Sequence, residues 1–173
     1  QISLFCTESS IEDKGKEWQI TGDPTEAALM IFSKKLSFEN PDDIKISVDI
    51  PFESENQMMA VRAIHDSEDC IYAKGAPENI LAKCNTMLNP NGEKVPIDLE
   101  FLREKIIDFS QHGLRVLALA GTDKSNIEQI TLDNLENLTF VGFAGIEDAV
   151  RPEAAVAVKN CHNAGIRVLM ITG

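Results

Sequence analysis

The residues best suited to chemistry in this sequence surround a lysine in residues 71–78, I-Y-A-K-G-A-P-E. The first three residues favour a strand, Lys74 and Gly75 end it, and Pro77 with Glu78 suits the first turn of a helix. A lysine at a strand end, beside a glycine, can present its ammonium group to an anion that approaches the backbone closely. The same residues also fit an ordinary strand–turn–helix junction with a solvated lysine, so the interpretation depends on the rest of the chain.

A carboxylate that could serve a cap or a ligand ends residues 21–26, T-G-D-P-T-E. Asp23 is a good helix N-cap, Pro24 fits the first helical position, and Glu26 stands three residues after the cap, as in a capping box. Apolar residues then recur with helical spacing, and two lysines suit the far end of the helix dipole. The local pattern alone favours Glu26 as a capping residue.

An aromatic and an arginine are two further candidates for ligand contact. Phe52 follows a proline that interrupts the alternating strand at 44–50, and a second strand is predicted at 57–64, so the two strands form an antiparallel pair. Such a phenylalanine belongs to the core or, if exposed, can stack on a planar base. Arg115 interrupts an apolar strand at 114–120, where it either meets an anionic partner at the strand mouth or extends to solvent.

The remaining patterns alternate between helix and strand and suggest two parts of the chain. Helices are predicted at 77–84, at 99–111 and from Pro152 to the N-A-G at 163–165, with strands at 138–146 and 166–171. A polar turn is predicted at 89–92, and 123–137 is expected to be a polar connection with little core.

The order of these elements predicts an α+β fold, with a mostly antiparallel sheet flanked by helices. The last strand, helix and strand have the β-α-β rhythm of a parallel α/β sheet, so the chain is expected to end in a short fragment of a second domain. The predicted boundary lies near residue 147 and separates domains at 1–146 and 147–173.

Composition excludes several kinds of partner. With 16 basic and 28 acidic residues the net charge is −12, and no basic cluster is present, so nucleic-acid and anionic-membrane binding are not expected. A polyanion such as ATP would need local cations to overcome this acidic background. No apolar run approaches the roughly 20 residues that span a bilayer, and no start methionine opens the chain. We expect a piece of a larger protein.

Motifs for metal binding and for common catalytic machinery are absent from the sequence. The four cysteines are scattered without a C-x-x-C pair, which argues against zinc and against a disulfide framework and favours reduced thiols in a cytosolic setting. No Ser-His-Asp order, paired catalytic carboxylates or G-x-x-x-x-G-K-[ST] loop occurs. No catalytic residue and no metal ligand is therefore assigned.

Several motifs, taken in order, resemble one known family. They are T-G-D-P-T-E-A-A-L from Thr21, P-F-E-S from Pro51, K-G-A-P-E from Lys74, G-L-R-V-L-A-L-A from Gly113 and A-G-I-R-V-L-M-I-T-G from Ala164. Together they resemble the nucleotide-binding (N) domain of P-type cation-transporting ATPases, most like the calcium-pump group. The final motif resembles the start of that family's phosphorylation (P) domain. The resemblance covers nearly the whole chain.

The resemblance implies an ATP site. Phe52 stands in the place of the aromatic that stacks on adenine, and Glu26 in that of the carboxylate near the adenine amino group. Lys74 corresponds to the lysine at the base of the pocket, Gly75 to the adjacent backbone approach, and Arg115 to the arginine that reaches the phosphates. Stacking on an aromatic contributes about 1–3 kcal/mol per base, and a hydrogen bond to a charged group about 1.5–3 kcal/mol.

The resemblance implies roles for further positions, at some of which the sequence departs from the family pattern. Gln57 stands where many relatives carry lysine, and only a polar contact with ATP is expected of it. Asp148 and Arg151 belong to a segment that resembles the family's D-P-P-R hinge, with both prolines replaced. Thr172 and Gly173 resemble the T-G of the P domain's T-G-D segment.

The resemblance also implies what this chain would do only with other domains. The D-K-T-G-T segment that carries the phosphorylated aspartate does not occur, so the chain is expected to bind ATP and present it without completing turnover. Mg²⁺ acts with the intact enzyme. The expected partners are the phosphorylation, actuator and transmembrane domains of the same parent protein, with this monomeric part as a cytoplasmic domain of an integral membrane protein.

Two alternatives stay open at this point. The chain could keep the fold but serve as a regulatory or protein-interaction module with weak or no nucleotide binding, for which Gln57 and the net charge leave room. The terminal β-α-β also suggests a stand-alone hydrolase of the haloacid-dehalogenase type, although that fold's catalytic Asp-x-Asp pair is absent.

Overall fold

The computed structural model describes residues 1–15, 18–36, 44–65, 68–122, 129–147 and 151–171. Helices in this part of the chain are α1 (Ile2–Phe5), α2 (Pro24–Lys35), α3 (Pro77–Leu81), α4 (Leu99–Gln111) and α5 (Pro152–Asn163). Strands are β1 (Ser10–Asp13), β2 (Trp18–Thr21), β3 (Lys45–Glu53), β4 (Met58–His65), β5 (Glu68–Gly75), β6 (Cys84–Leu88), β7 (Lys94–Pro96), β8 (Arg115–Thr122) and β9 (Leu138–Ile146).

The fold is built on a sheet in which the described strands take the order β3-β4-β5-β8-β9-β6-β7. Neighbours in this sheet run antiparallel, except that β6 and β9 are parallel. β1 and β2 form a separate antiparallel pair close to α2. The predicted α+β class, with a mostly antiparallel sheet and helices, is confirmed.

Edge strand β3 carries an aromatic to the surface because its register is broken. The predicted interruption at Pro51 does not end the strand, which continues to Glu53, but the pairing with β4 shifts on both sides of Ile50. Proline has no N–H to donate and is tolerated in a sheet at an edge or a bulge. The irregular pairing leaves Phe52 46% exposed, whereas Ile50 is buried.

Central strand β4 is buried on both faces. Met58 and Ala60 belong to one cluster of buried side chains, which contains residues from α3 and α4, and Met59 and Val61 belong to a second cluster that includes residues of α1. Because strand side chains alternate between faces, the sheet separates the two clusters. The α1 side of the sheet is the side on which Cys6 is fully buried.

The segment predicted as a polar connection contains core residues. Ile130 and Leu135 are fully buried within the larger cluster, so the expectation of little core is wrong for the part of 123–137 that the structure describes. Two hydrogen bonds hold this part in place: Lys83 Nζ donates to the Leu132 carbonyl (2.7 Å), and the Ile130 N–H donates to Asp49 Oδ2 (3.1 Å). Single apolar residues in a polar stretch have no periodicity that would indicate burial.

The region after α3 also differs from its prediction. The helix expected to reach Cys84 ends at Leu81, and Cys84 begins β6, which pairs with β7 across the predicted turn at 89–92. Gly92 adopts φ +81° in that turn, a conformation that favours glycine. β6 and β7 are short strands whose patterns were too weak to predict.

The end of the chain departs from the expected β-α-β unit. α5 forms as predicted, but the described residues 166–171 form no strand, and their apolar side chains are exposed. A strand needs a neighbour for its hydrogen bonds, and none of the described strands pairs with this stretch. Arg151 precedes α5 and makes no side-chain cap to it; Asp148, Thr172 and Gly173 lie outside the described residues, and the domain boundary near 147 stays a prediction.

Candidate functional site

A cavity of about 260 Å³ opens beside α2 and the ends of three strands of the large sheet. The side chains and backbone that line it are Glu8, Ser9, Gly22, Asp23, Thr25, Glu26, Phe52, Lys74, Gly75, Arg115 and Leu117. Five of the six residues expected at an ATP site therefore border one cavity. They come from α2, β3, β5 and β8, which are distant in sequence and adjacent in the fold.

An ion pair joins two of these residues. Lys74 Nζ lies 2.6 Å from Glu26 Oε1, and the two side chains are 5% and 12% exposed. Lys74 stands next to the end of β5, where it pairs with Met59 on one side and Leu119 on the other. These interior strands keep water from its aliphatic part, so the ammonium group meets the carboxylate in a poorly solvated place.

Glu26 does not cap its own helix. Asp23 Oδ1 accepts hydrogen bonds from the backbone N–H groups of Thr25 (2.8 Å) and Glu26 (3.2 Å), as predicted for an N-cap. The Glu26 carboxylate instead turns towards the segment before β1, where Oε2 accepts from Thr7 Oγ1 (3.0 Å) and Ser9 Oγ (2.6 Å). The local interpretation of Glu26 as a capping residue is wrong, because tertiary contacts take its side chain.

The surroundings of Glu26 keep its carboxyl ionised. Burial acts to raise the pKa of Glu26, but hydrogen bonds from Lys74 and Ser9, the charge of Lys74 and a hydrogen bond from Thr7 together lower the pKa below its ordinary value. Close by, burial raises the pKa of the Cys6 thiol to about 12. Cys6 therefore stays protonated and is not a nucleophile at this site.

Gly75 lies where the backbone leaves no room for a side chain. A Cβ at this position would be 2.5 Å from the Gln57 carbonyl oxygen and 2.7 Å from Met58 Cα. β4 and β5 therefore approach each other closely at the wall of the cavity, next to Lys74. A glycine beside the lysine is required by this packing, whatever the cavity binds.

Phe52 and Arg115 are exposed members of the cavity lining, as are Glu8, Gly22 and Asp23. Phe52 is half exposed and contributes apolar surface to the lining. Arg115 begins β8 and is exposed, with Nη1 donating to Thr25 Oγ1 at 3.3 Å. Arg115 thus lies at a strand mouth, but the partner that the structure gives it is a hydroxyl, so the anionic partner stays a prediction.

Gln57 is the expected site residue that the fold places elsewhere. Among the described residues it is not part of the cavity lining. It occupies the β3–β4 turn with φ +49°, and its carbonyl accepts from the Ala76 N–H at 2.8 Å. Its exposed side chain leaves contact with a long ligand as a prediction only.

Sequence reasoning did not assign Ser9 or Leu117 to the site. Leu117 lies two residues after Arg115 in β8, so the alternation of strand side chains could have placed both on one face. Ser9 carries no comparable signal, because it stands outside every motif and reaches Glu26 across 17 residues.

The chain belongs to the family described as P-type ATPase, cytoplasmic domain N, whose pattern it matches over residues 1–153. It is similar to the cation-transporting ATPase pma1 of Synechocystis sp., with 42% identity over 98% of this chain and 19% of that protein. It is 41% identical to the sodium/potassium exporting P-type ATPase cta3 of Schizosaccharomyces pombe, over 98% of this chain and 17% of that protein. The endoplasmic reticulum calcium ATPase srcA of Aspergillus fumigatus is 28% identical over all of this chain and 22% of its own length.

These relatives are named as enzymes of the P-type cation-transporting class, which confirms the resemblance. The chain spans about a fifth of their length. Within the described ranges, no helix is long and apolar enough to cross a membrane, and no group of three or more His, Cys, Asp or Glu side chains could hold a metal ion.

Proposed function

We propose that this chain is the ATP-binding domain of a P-type cation-transporting ATPase, which positions ATP for phosphoryl transfer to an aspartate of the P domain. One observation carries the proposal: Phe52, Glu26, Lys74, Gly75 and Arg115 line a single cavity in a chain of this family. The phosphorylation, actuator and transmembrane domains of the parent protein are its proposed partners, and the cytoplasm is its proposed location.

The base of the nucleotide is proposed to lie between the exposed ring of Phe52 and the largely buried Glu26 carboxylate. Phe52 offers an exposed aromatic face, and stacking of a base on such a face contributes about 1–3 kcal/mol. Leu117 adds further apolar surface to the lining. Glu26 Oε1 is an ionised acceptor that suits the exocyclic amino group of adenine, since an amino group donates hydrogen bonds and a carboxylate accepts them.

The charges that line the cavity favour binding of the base and of the phosphates by different residues. The lining has two cationic side chains and three anionic ones, a sum of 2 − 3 = −1, and Glu26 already pairs with Lys74. Arg115 at the exposed side is the cation left to meet the phosphates in this part of the structure. Mg²⁺ carried on the phosphates of ATP supplies the positive charge that this lining does not.

Chemical-shift mapping of an ATP titration tests the proposal. We expect the backbone amide signals of Phe52 and Lys74 to shift in a saturable way, and Phe52→Ala and Lys74→Ala each to lose most of the affinity. Phe101→Ala is the matched control, because Phe101 is 44% exposed on α4 and does not line the cavity.

Absence of any shift at both amides, or ordinary binding by both variants, would reject the ATP site. Calorimetry that finds no nucleotide binding, with a protein partner bound instead, would favour the regulatory module.

A further inference from the structure

Ser9 is held in one orientation at the wall of the cavity. Its side chain is buried, and its hydroxyl oxygen accepts a hydrogen bond from the Asp23 N–H at 2.9 Å. The hydroxyl proton is therefore directed to Glu26 Oε2, which lies 2.6 Å away. Gly22, at φ +113°, packs directly against this side chain, since a Cβ on Gly22 would lie 2.3 Å from Ser9 Oγ.

The two oxygens of the Glu26 carboxylate are consequently unequal. In the described part of the chain, Oε2 accepts from the hydroxyls of Thr7 and Ser9 and from the backbone N–H groups of Glu8 (3.1 Å) and Ser9 (3.0 Å). Oε1 accepts from Lys74 Nζ. An ionised carboxylate has about four lone-pair sites, or about two on each oxygen, so the four donors saturate Oε2, whereas Oε1 with its one donor can accept another.

We propose that Ser9, assisted by Thr7, is a positioning residue that fixes the Glu26 carboxylate and thereby makes the cavity prefer 6-amino purines over 6-oxo purines. The inference rests on the proposed nucleotide site and adds to it a determinant of base choice. The terminal torsion of a glutamate is broad and weakly restrained on its own. Four donors on one oxygen supply the restraint that leaves Oε1 as the acceptor for a ligand.

Base choice follows from the polarity of this acceptor. A 6-amino group can donate to the free lone pair of Oε1, whereas a 6-oxo group would place its own lone pairs against a carboxylate. A site built to hydrogen-bond one group rejects the analogue that leaves its polar atoms unpaired. Loss of the Ser9 hydroxyl removes the shortest of the four contacts to Oε2, so the carboxylate is expected to be held less firmly and the discrimination to fall.

Paired titrations with ATP and ITP, which differ at position 6 of the base, test the inference on the 173-residue chain. We expect the unmodified chain to bind ATP more tightly, and Ser9→Ala to reduce the ratio of the two affinities by about fivefold or more. Thr7→Val, which removes a hydroxyl with little change of shape, should also reduce the ratio of the two affinities. Thr7→Ser, which keeps the hydroxyl, should have the ratio of the unmodified chain.

Ser47→Ala is the matched control, because Ser47 also donates to a carboxylate (Asp49 Oδ1, 2.6 Å) but lies on an exposed part of β3. Its ratio of affinities should equal that of the unmodified chain. If Ser9→Ala and Thr7→Val stay folded and keep the full preference for ATP, the positioning role is overturned. If Ser9→Ala does not fold, the comparison of Thr7→Val with Thr7→Ser still tests the positioning role.

A second measurement needs no nucleotide and so separates this inference from the proposed function. The carboxyl ¹³C signal of Glu26 is followed against pH in each variant. Ser9→Ala should move its midpoint upwards, since a hydrogen bond that lowers the Glu26 pKa has been removed. An unchanged midpoint would show that Ser9 does not position the Glu26 carboxylate. If the unmodified chain does not bind ATP, the proposed nucleotide site itself is rejected.

Discussion

Glu26 and Lys74 form an ion pair of 2.6 Å at the wall of the cavity, although 48 residues separate them in the sequence. The pair ties helix α2 to strand β5, and each partner satisfies a charge that the fold has taken out of water. Removal of Glu26 takes the carboxylate away from the buried Lys74 ammonium, whereas removal of Lys74 leaves Glu26 with its hydrogen bonds to residues 7–9. The same contact therefore affects both the stability of the domain and the chemistry of the cavity.

Lys74→Met is expected to lower the free energy of unfolding by about 1.5–3 kcal/mol, because it removes the charged donor of Glu26 Oε1 while Oε2 keeps its hydrogen bonds to residues 7–9. The double variant Glu26→Gln/Lys74→Met should lose less than the sum of the two single variants. Urea denaturation at neutral pH measures both effects. Lys159→Met, at an exposed position of α5, should stay within about 0.5 kcal/mol of the unmodified chain, and an equally small effect of Lys74→Met would contradict the prediction.

Stability should decrease in acid through Glu26. Its pKa in the folded protein is lowered from an ordinary value of 4.5, so its ionised form stabilises the fold at pH values above 4.5. This contribution is lost as the pH falls from 4.5 through the lowered pKa of the folded state, where protonation breaks the pair with Lys74. Denaturation midpoints measured from neutral pH to below 4.5 should fall less steeply in Glu26→Gln, and identical slopes would count against the assignment.

Phe52→Ala should weaken ATP binding by about 1–3 kcal/mol, which is the contribution of a stacked base. Stability should change little, because the side chain is already half exposed. Phe52→Trp, which keeps an aromatic face, is expected to retain most of the affinity. Calorimetry measures binding, and equal affinities for Phe52→Ala and the Phe101→Ala control would show that no base stacks there.

Arg115→Ala should weaken the binding of the ATP phosphates and leave the binding of the base unchanged. We expect a loss of about 1.5 kcal/mol in ATP affinity, at the lower end of the range for charged hydrogen bonds because the side chain is exposed to solvent. Adenosine should bind the variant and the unmodified chain alike, and added salt should reduce the difference for ATP. Arg103→Ala, an exposed arginine of α4, is the control; a matching loss for adenosine would place Arg115 at the base instead.

Gly75→Ala should lower the free energy of unfolding by about 1–3 kcal/mol, since the added methyl group meets the backbone of residues 57 and 58 at 2.5–2.7 Å. Gly142→Ala in β9 offers the opposite case, because nothing lies within 4 Å of its added Cβ. Thermal and urea unfolding should therefore show that Gly75→Ala is less stable than Gly142→Ala. Equal stability of both would mean that β4 and β5 can separate at little cost.

Much of the candidate site could be predicted from local sequence patterns. Lys74 at a strand end and Asp23 as an N-cap depend on residues close in sequence, and the structure places them as predicted. Arg115 lies at a strand mouth, one of the two alternatives, with a hydroxyl beside it and not the anion expected there. The contact between Glu26 and Lys74 was not accessible, because it depends on how β5 pairs within the sheet and on how α2 packs beside it. Ser9 was missed for the same reason, since its role exists only through Glu26.

Errors in the fold have physical causes of the same kind. Residues 166–171 have the apolar and β-branched composition of a buried strand, but composition does not supply the neighbour with which a strand must pair. Ile130 and Leu135 show the converse, because a polar surrounding sequence does not prevent two apolar side chains from reaching the core. Burial and pairing are decided by the whole chain, whereas propensity is local.

The position of β8 between β5 and β9 is expected to delay the formation of the cavity during folding. β3, β4 and β5 follow one another as hairpins, but the pairing of Gly75 with Ala118 closes a long loop and carries the entropic cost of a non-local contact. Arg115 and Leu117 reach the other lining residues only when that loop has closed. A partly synthesised chain that ends before β8 lacks these two lining residues, so we expect the proposed ligand to stabilise the completed domain and not the early steps of folding.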